Sequence, residues 1–120
     1  MNSVRISVFE VVGSPLCVAS NDGQRVYERL AAAIQEGRSA VLSFHNVDTL
    51  TSAFLNAAIG QLYGKFSEND IRSLVQVEDM APDDLVLVKR VVDTAKQYFK
   101  DPPRFDEVIR ETMEDQDDGV

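Results

Sequence analysis

Five polar side chains that could do chemistry follow a short apolar run at 40–44. They are His45, Asn46, Asp48, Thr51 and Ser52. A histidine can exchange a proton near neutral pH, and hydroxyl groups at the start of a helix lie where backbone N–H groups are unpaired. Such a place suits the polar contacts of a partner, a small anion or an added phosphate. The sequence therefore predicts that this segment carries the functional site.

The usual signs of an enzyme are missing from the sequence. His45 is the only histidine, which excludes a His-rich metal site. Acidic pairs at 78–79 and 83–84 suit either Mg²⁺ or the positive end of a helix, and Pro82 favours the second interpretation. There is no dinucleotide, Walker or GxSxG motif, and Ser52 has no neighbouring base to activate it. We therefore predict no catalytic residue, no metal site and no cofactor, and a protein that is not an enzyme.

The charge balance of the chain is acidic. Twenty Asp and Glu residues against twelve Lys and Arg residues give a formal net charge of −8, and the pI is about 4.5. Proteins that bind nucleic acids or anionic membranes need a basic face, so both partners are disfavoured. A protein partner, in particular one with a basic surface, is the better expectation.

A single cysteine, Cys17, lies in an apolar run, so no internal disulfide can form. No neighbouring cation stabilises a thiolate, and we expect a small buried hydrophobic side chain. The chain has neither a signal-peptide core nor an apolar stretch long enough to cross a bilayer. These features predict a cytoplasmic protein with a reduced thiol.

Apolar periodicity and turn residues divide the first part of the chain into strands and a helix. Strand-like runs at 4–12 and 16–19 enclose a glycine–serine–proline turn and predict an N-terminal hairpin or two closely linked strands. The helix that follows has Asn21 as its expected cap, with Gln24 completing a capping box, and Gly37 ends it.

The central segment at 40–64 is predicted to be a buried strand, a polar turn and a helix that ends at Gly64. Either Thr51 or Ser52 is expected to cap this helix. Gly60 in the helix interior indicates a close approach to another element. The residues of its inward face are Phe54, Leu55, Ala58, Ile59 and Leu62.

The last third of the chain predicts one strand and two helices. The strand spans 71–77, a helix starts at Pro82 and runs to 99, and a last helix covers 104–115. The fold class is α/β, with a mixed four-stranded sheet in the order β-β-α-β-α-β-α and a C-terminal helix. We predict a single domain at 1–114 and an acidic disordered tail at 115–120.

The element order, together with the segment VLSFHNVDTLTSAFLNAAIG, resembles the STAS domain (sulfate transporter and anti-sigma-factor antagonist). It more closely resembles an uncharacterised bacterial STAS-like branch, in which a strand and a "GV" turn lead into a Thr-Ser-Ser-Phe-type helix start. Here the turn reads Asn46-Val47 and the helix start reads Thr51-Ser52-Ala53-Phe54. The resemblance therefore implies a STAS-like fold.

In anti-sigma-factor antagonists the corresponding helix start reads Asp-Ser-Ser/Thr-Gly, and an ATP-binding partner kinase phosphorylates its serine. Ser52 falls on that serine, while Thr51, Ala53 and Phe54 depart from the pattern at the other three positions. The resemblance thus implies a partner similar to the histidine-kinase-type ATPases and makes Ser52 a candidate phosphoacceptor.

Two functional hypotheses remain open at this point. The first is a regulatory module that docks a protein partner through 46–62 and is switched by phosphorylation of Ser52. The second is an enzyme or a binder of small anions or nucleotides, with a pocket formed by His45, Asp48, Thr51 and Ser52. The missing acid–base partners favour the first. A weaker idea is that 104–115 docks a partner, although packing on its own domain is the simpler expectation. The oligomeric state and the identity of the partner stay open.

Overall fold

The computed structural model describes residues 3–100, which alternate between short strands and helices. The strands are β1 (Ser3–Ser7), β2 (Leu16–Cys17), β3 (Ser39–Ser43), β4 (Thr49–Leu50) and β5 (Val75–Glu78). The helices are α1 (Val8–Val12), α2 (Ser20–Gln35), α3 (Ser52–Ala58), α4 (Glu68–Leu74) and α5 (Pro82–Lys100), and a 3₁₀ helix spans Gly60–Gly64. The α/β class is confirmed.

The strands form two small parallel sheets. One has three strands in the order β1-β3-β5, and the other pairs β2 with β4. The prediction of one mixed four-stranded sheet is therefore wrong in its detail, and so is the antiparallel hairpin at the N-terminus. Parallel pairing requires crossover connections, which the intervening helices α2 and α4 supply.

The predicted hairpin fails because residues 8–12 form helix α1. Ser7 caps this helix by accepting a hydrogen bond from Glu10 N, and Gly13 ends it in the left-handed conformation at φ 81°. The two short runs are therefore no longer joined by a tight turn. As a result, β1 pairs with β3, while β2 pairs with β4.

Helix boundaries differ from the prediction at three other places. Helix α2 begins at Ser20, and its N-cap Ala19 makes no side-chain cap bond, so Asn21 is not the cap. The predicted strand at 71–77 is helical up to 74, because the Ser67 hydroxyl caps α4 by accepting from Asp70 N. The predicted helix up to Gly64 changes from α to 3₁₀ at residue 60.

The hydrophobic core lies between the three-stranded sheet and helices α2, α3 and α5. Phe54 is fully buried, which confirms that its side chain faces inward. Gly60 lies against α5, where an added Cβ atom would be 3.7 Å from Cβ of Ala95, an ordinary contact, and a much tighter approach occurs at Gly23. A Cβ atom at Gly23 would collide with the carbonyl oxygen of Phe54 and lie 2.9 Å from Cβ of Ala57. Helices α2 and α3 therefore pack backbone against backbone.

The remaining predictions concern the ends of two helices, membrane-spanning segments and the C-terminal residues. Gly37 has a φ of 72°, as expected for a glycine that ends a helix, and α5 begins at Pro82 as predicted. Among the helices within 3–100, none is both long and apolar enough to cross a membrane. The predicted helix at 104–115 and the tail at 115–120 lie outside the described residues.

Candidate functional site

A tight turn joins β3 to β4 and places the first two candidate residues. Val47 N donates to the carbonyl oxygen of Phe44 at 3.1 Å, and Asn46 has a φ of 70° at the third position of the turn. Asparagine is one of the few side chains that tolerate this left-handed conformation, for which glycine is otherwise favoured. The side chains of His45 and Asn46 are exposed as a result.

The backbone of Asp48 and of the following residue, Thr49, is held against the loop before β2. Asp48 N and Thr49 N both donate to the carbonyl oxygen of Pro15, at 2.8 and 3.2 Å. Strand β2 then runs beside β4, with Leu16 opposite Thr49. The side chain of Asp48 stays exposed. The turn and the pairing of β2 with β4 together bring the N-terminal segment next to the start of α3.

Thr51 makes two hydrogen bonds at the start of α3. Its Oγ1 accepts from Phe54 N at 3.1 Å, and the same hydroxyl donates to the carbonyl oxygen of Val18 at 2.7 Å. Thr51 is therefore the N-cap, and Ser52 is the first helical residue, with an exposed side chain. The choice between Thr51 and Ser52 as the cap is thus settled in favour of Thr51.

The ends of β1, β3 and β5 meet beside the turn in a polar cluster. The Ser43 side chain is 3% exposed, and its Oγ accepts from His45 N at 3.3 Å. Arg5 reaches the same Oγ from β1 at 3.4 Å and pairs with Glu78 of β5 at 2.7 Å. The cluster fixes the position at which the turn leaves the sheet.

The cavities on the described part of the chain include three with volumes of about 560, 240 and 300 Å³. Their walls do not include His45, Asp48, Thr51 or Ser52. Within residues 3–100, no group of three or more His, Cys, Asp or Glu residues could hold a metal ion. Four of the five candidate side chains are exposed and that of Thr51 is half-buried, and these cavities give the anion-pocket hypothesis no support.

The model of one protein family matches residues 22–85, just over half of the 120 residues. Its description is "STAS-like domain of unknown function (DUF4325)". The chain belongs to this STAS-like family. No curated protein and no solved structure gives a significant match. The matched range contains all five candidate residues, together with the turn and α3 that position them.

Two apolar residues of the STAS-like chain lie next to the candidate residues but were not predicted. Leu16 is 53% exposed and Val18 is 41% exposed, whereas Cys17 between them is fully buried. The sequence predicts only a strand-like apolar run at 16–19, with burial expected for Cys17. The signal that distinguishes them is the alternation expected of a strand with one buried face. Both residues precede the range matched by the family model.

The buried Cys17 confirms the structural role expected for this side chain in the STAS-like domain. Desolvation, assisted by the negative charge of Asp22, raises the pKa of the Cys17 thiol to about 11. A thiol with such a pKa stays protonated at neutral pH and is a weak nucleophile. The buried side chain of Cys17 thus packs in the core, while Leu16 and Val18 on either side of it are exposed.

Proposed function

We propose that this STAS-like domain is a non-enzymatic regulatory module that docks a protein partner. The docking surface consists of Leu16, Val18, Thr51 and Ser52, with the turn residues at 45–48 along its edge. The observation that carries the proposal is the hydrogen bond from Thr51 Oγ1 to Val18 O, which joins two exposed apolar side chains to an exposed serine. Apolar side chains next to polar groups are typical of protein interfaces.

The charge of the surface favours a partner with a basic contact region. Asp48 is exposed at the edge of the docking surface, and residues 1–100 carry twelve acidic against ten basic side chains, a net charge of −2. Complementary charge increases the association rate and selects among partners. By its resemblance to anti-sigma-factor antagonists, the proposed partner is a histidine-kinase-type ATPase that also acts as a serine kinase.

Phosphorylation of Ser52 is the proposed switch. A phosphate adds up to about two negative charges at neutral pH. Ser52 is exposed, and the cap of α3 is already supplied by Thr51, so a phosphate on Ser52 leaves the hydrogen bonds of Thr51 in place. The added charge therefore acts on the partner across the interface, where it must be desolvated next to Leu16 and Val18, and it weakens docking.

The docking surface is tested with a partner recovered by affinity purification of the native full chain and then itself purified. The affinity of that partner is measured for the native chain and for Val18→Ser. The control is Val86→Ser, because Val86 is an equally apolar, 59% exposed residue on α5, away from the surface. We expect Val18→Ser to weaken binding and Val86→Ser to leave it unchanged. Equal affinities for all three chains would remove the proposed surface.

The switch is tested separately by incubating the chain with the purified partner and MgATP. Mass spectrometry of the product should place one phosphate on Ser52, and Ser52→Ala should remain unmodified although Thr51 is intact. Phosphate on Thr51 instead, or none on the native chain, would leave a docking module without this switch.

A further inference from the structure

An open groove runs along one side of α5, away from the docking surface. Two adjoining cavities of about 560 and 240 Å³ form this α5 groove, and they share Tyr63, Glu68 and Lys96. Phe66 and Phe99 line its wider end near the end of α5, and the narrower end lies against β5. The wall of the narrower end is mostly apolar, whereas the wider end combines aromatic side chains with polar and charged ones.

The narrower end of the groove runs beside an edge strand. Strand β5 pairs with β3 on one side only, and its half-buried Val75 and Val77 line the groove together with Val88 and Val92 of α5. Hydrophobic edge strands in native proteins are usually covered by another element. Ile59 and Tyr63, from the end of α3 and from the 3₁₀ helix, line the same end of the groove, which stays open within the described residues.

The chain leaves α5 at the wider end of this groove. Phe99 lines the groove, Lys100 is the last described residue, and twenty residues of sequence follow. The sequence Asp101-Pro102-Pro103 disfavours a continuation of the helix. Four residues at 101–104 can span up to about 14 Å, so Phe105 is within reach of the groove.

The length of the following segment matches the groove. Val88 lies twelve positions before Lys100, about 18 Å along the axis of α5 at 1.5 Å per residue. Residues 105–113 cover about 12 Å if helical and about 27 Å if extended. A segment that turns back at the prolines therefore reaches from Phe99 towards Val88 in either conformation.

The chemistry of the segment also complements the groove. Its apolar residues are Phe105, Val108, Ile109 and Met113, and the sequence from 101 to 120 contains eight acidic and two basic residues. At the rim, Arg72 and Lys96 both pair with the same carboxylate oxygen of Glu68, at 2.8 and 3.0 Å. Asp93, which also lines the wider end, pairs with Lys89 at 3.0 Å, so these five side chains together leave one net positive charge beside an acidic segment.

We propose that residues 105–113 of the same chain occupy the α5 groove, with Phe105 at its wider end and Val108 and Ile109 towards β5. The segment covers the apolar wall, and its acidic side chains lie near Arg72 and Lys96. This assignment concerns a surface separate from the proposed partner-docking surface and does not depend on it.

The native chain contains no tryptophan, which allows a direct test in the full chain. Phe105→Trp places a single fluorophore in the segment, and Val120→Trp provides a control at the chain end. We expect a blue-shifted emission for Phe105→Trp and an acrylamide quenching constant several-fold lower than that of the control. Adding Lys96→Glu should raise that constant towards the control value. Arg90→Glu, the same charge change elsewhere on α5, should not.

Nuclear Overhauser effects in the unsubstituted chain provide an independent measurement if a variant folds poorly. Contacts between the Phe105 ring and the rings of Phe66 or Phe99 at the wider end, or between the methyl groups of Ile109 and those of Val88 or Val92 at the narrower end, would support the proposal. Equal quenching of the two tryptophan variants, or the absence of these contacts in the native chain, would overturn it. Protection that appears only as the protein concentration rises would also overturn it, since the occupant would then be a second copy of the chain.

Discussion

The hydroxyl group of Thr51 joins the start of α3 to Val18 through a hydrogen bond of 2.7 Å between Oγ1 and the carbonyl oxygen. The same oxygen accepts from Phe54 N, so one side chain both caps the helix and attaches the N-terminal segment to it. Neither bond can be made by alanine, whereas serine retains the hydroxyl needed for both.

Thr51→Ala should lower the free energy of unfolding by about 1–2 kcal/mol, because the cap and the bond to Val18 are lost together. Thr51→Ser should recover most of this loss, and Ser52→Ala should be almost neutral because its side chain is exposed and does not cap α3. Urea denaturation of the three variants provides the measurement. A larger loss of stability for Ser52→Ala than for Thr51→Ala would show that Ser52, and not Thr51, caps α3.

The turn at Asn46 should prefer glycine to a β-branched residue. Because Asn46 has a φ of 70°, Asn46→Val should cost about 1–2 kcal/mol of stability, while Asn46→Gly should stay within about 1 kcal/mol of the native chain. His45→Val is the matched control in the same turn, because His45 is exposed and does not have a positive φ. Similar losses for the two valine variants in denaturant melts would argue against strain at Asn46.

Gly23 should tolerate no side chain where α2 meets α3. Gly23→Ala forces a Cβ atom against the Phe54 carbonyl and should reduce stability by about 1–3 kcal/mol despite the better helix propensity of alanine. Gly60→Ala is the control. The Cβ atom added there would have Asn56 Oδ1 as its nearest neighbour, at an ordinary contact distance of 3.4 Å. Thermal unfolding should separate the two variants, and equal melting temperatures would contradict the close packing of these helices.

The buried thiol of Cys17 should make stability fall at alkaline pH. Its pKa is raised from 9.0 in the free thiol to about 11, so above about pH 9 the unfolded chain binds fewer protons than the folded chain. The free energy of unfolding then decreases as the pH rises towards about 11, by about 2–3 kcal/mol for this group. Below pH 9 the contribution is fully present.

Cys17→Ala should flatten that part of the pH profile, whatever its effect on stability at neutral pH. Burial also raises the pKa of Tyr63, so some decrease at high pH should persist in Cys17→Ala and become smaller when Tyr63→Phe is added. Urea denaturation at a series of pH values measures the slope. An unchanged slope in Cys17→Ala would show that the thiol titrates normally in the folded chain.

The alternation of apolar runs and helical periods was sufficient to predict the α/β class, the buried strand β3, and the helix that Pro82 begins. It could not predict which strands pair, because the apolar pattern of residues 8–12 fits the period of a strand as well as that of a helix. The hydrogen bond from Glu10 N to Ser7 Oγ decides between strand and helix there, and such a local cap depends on the backbone around it. Once α1 forms, β2 lies beside β4 instead of β1.

The five polar candidates were visible in the sequence because they follow a strand and precede a helix, but their apolar neighbours were not. Leu16 and Val18 are more than thirty residues away from Thr51 in the chain, and only the pairing of β2 with β4 brings them to the same surface. Likewise, the sequence pattern singled out Gly60 because it lies inside a predicted helix, whereas the tight contact between α2 and α3 is made at Gly23. Contacts between distant segments are what the sequence pattern lacks.

The most direct test of the docking switch is the affinity of the purified ATPase partner for Ser52→Asp, measured beside the native chain by isothermal titration calorimetry. Asn69→Asp is the control, since it adds one negative charge to the exposed first turn of α4, outside the docking surface. The account predicts at least about tenfold weaker binding for Ser52→Asp, or about 1.4 kcal/mol, and native affinity for Asn69→Asp. Equal affinities of the native chain and Ser52→Asp would contradict it.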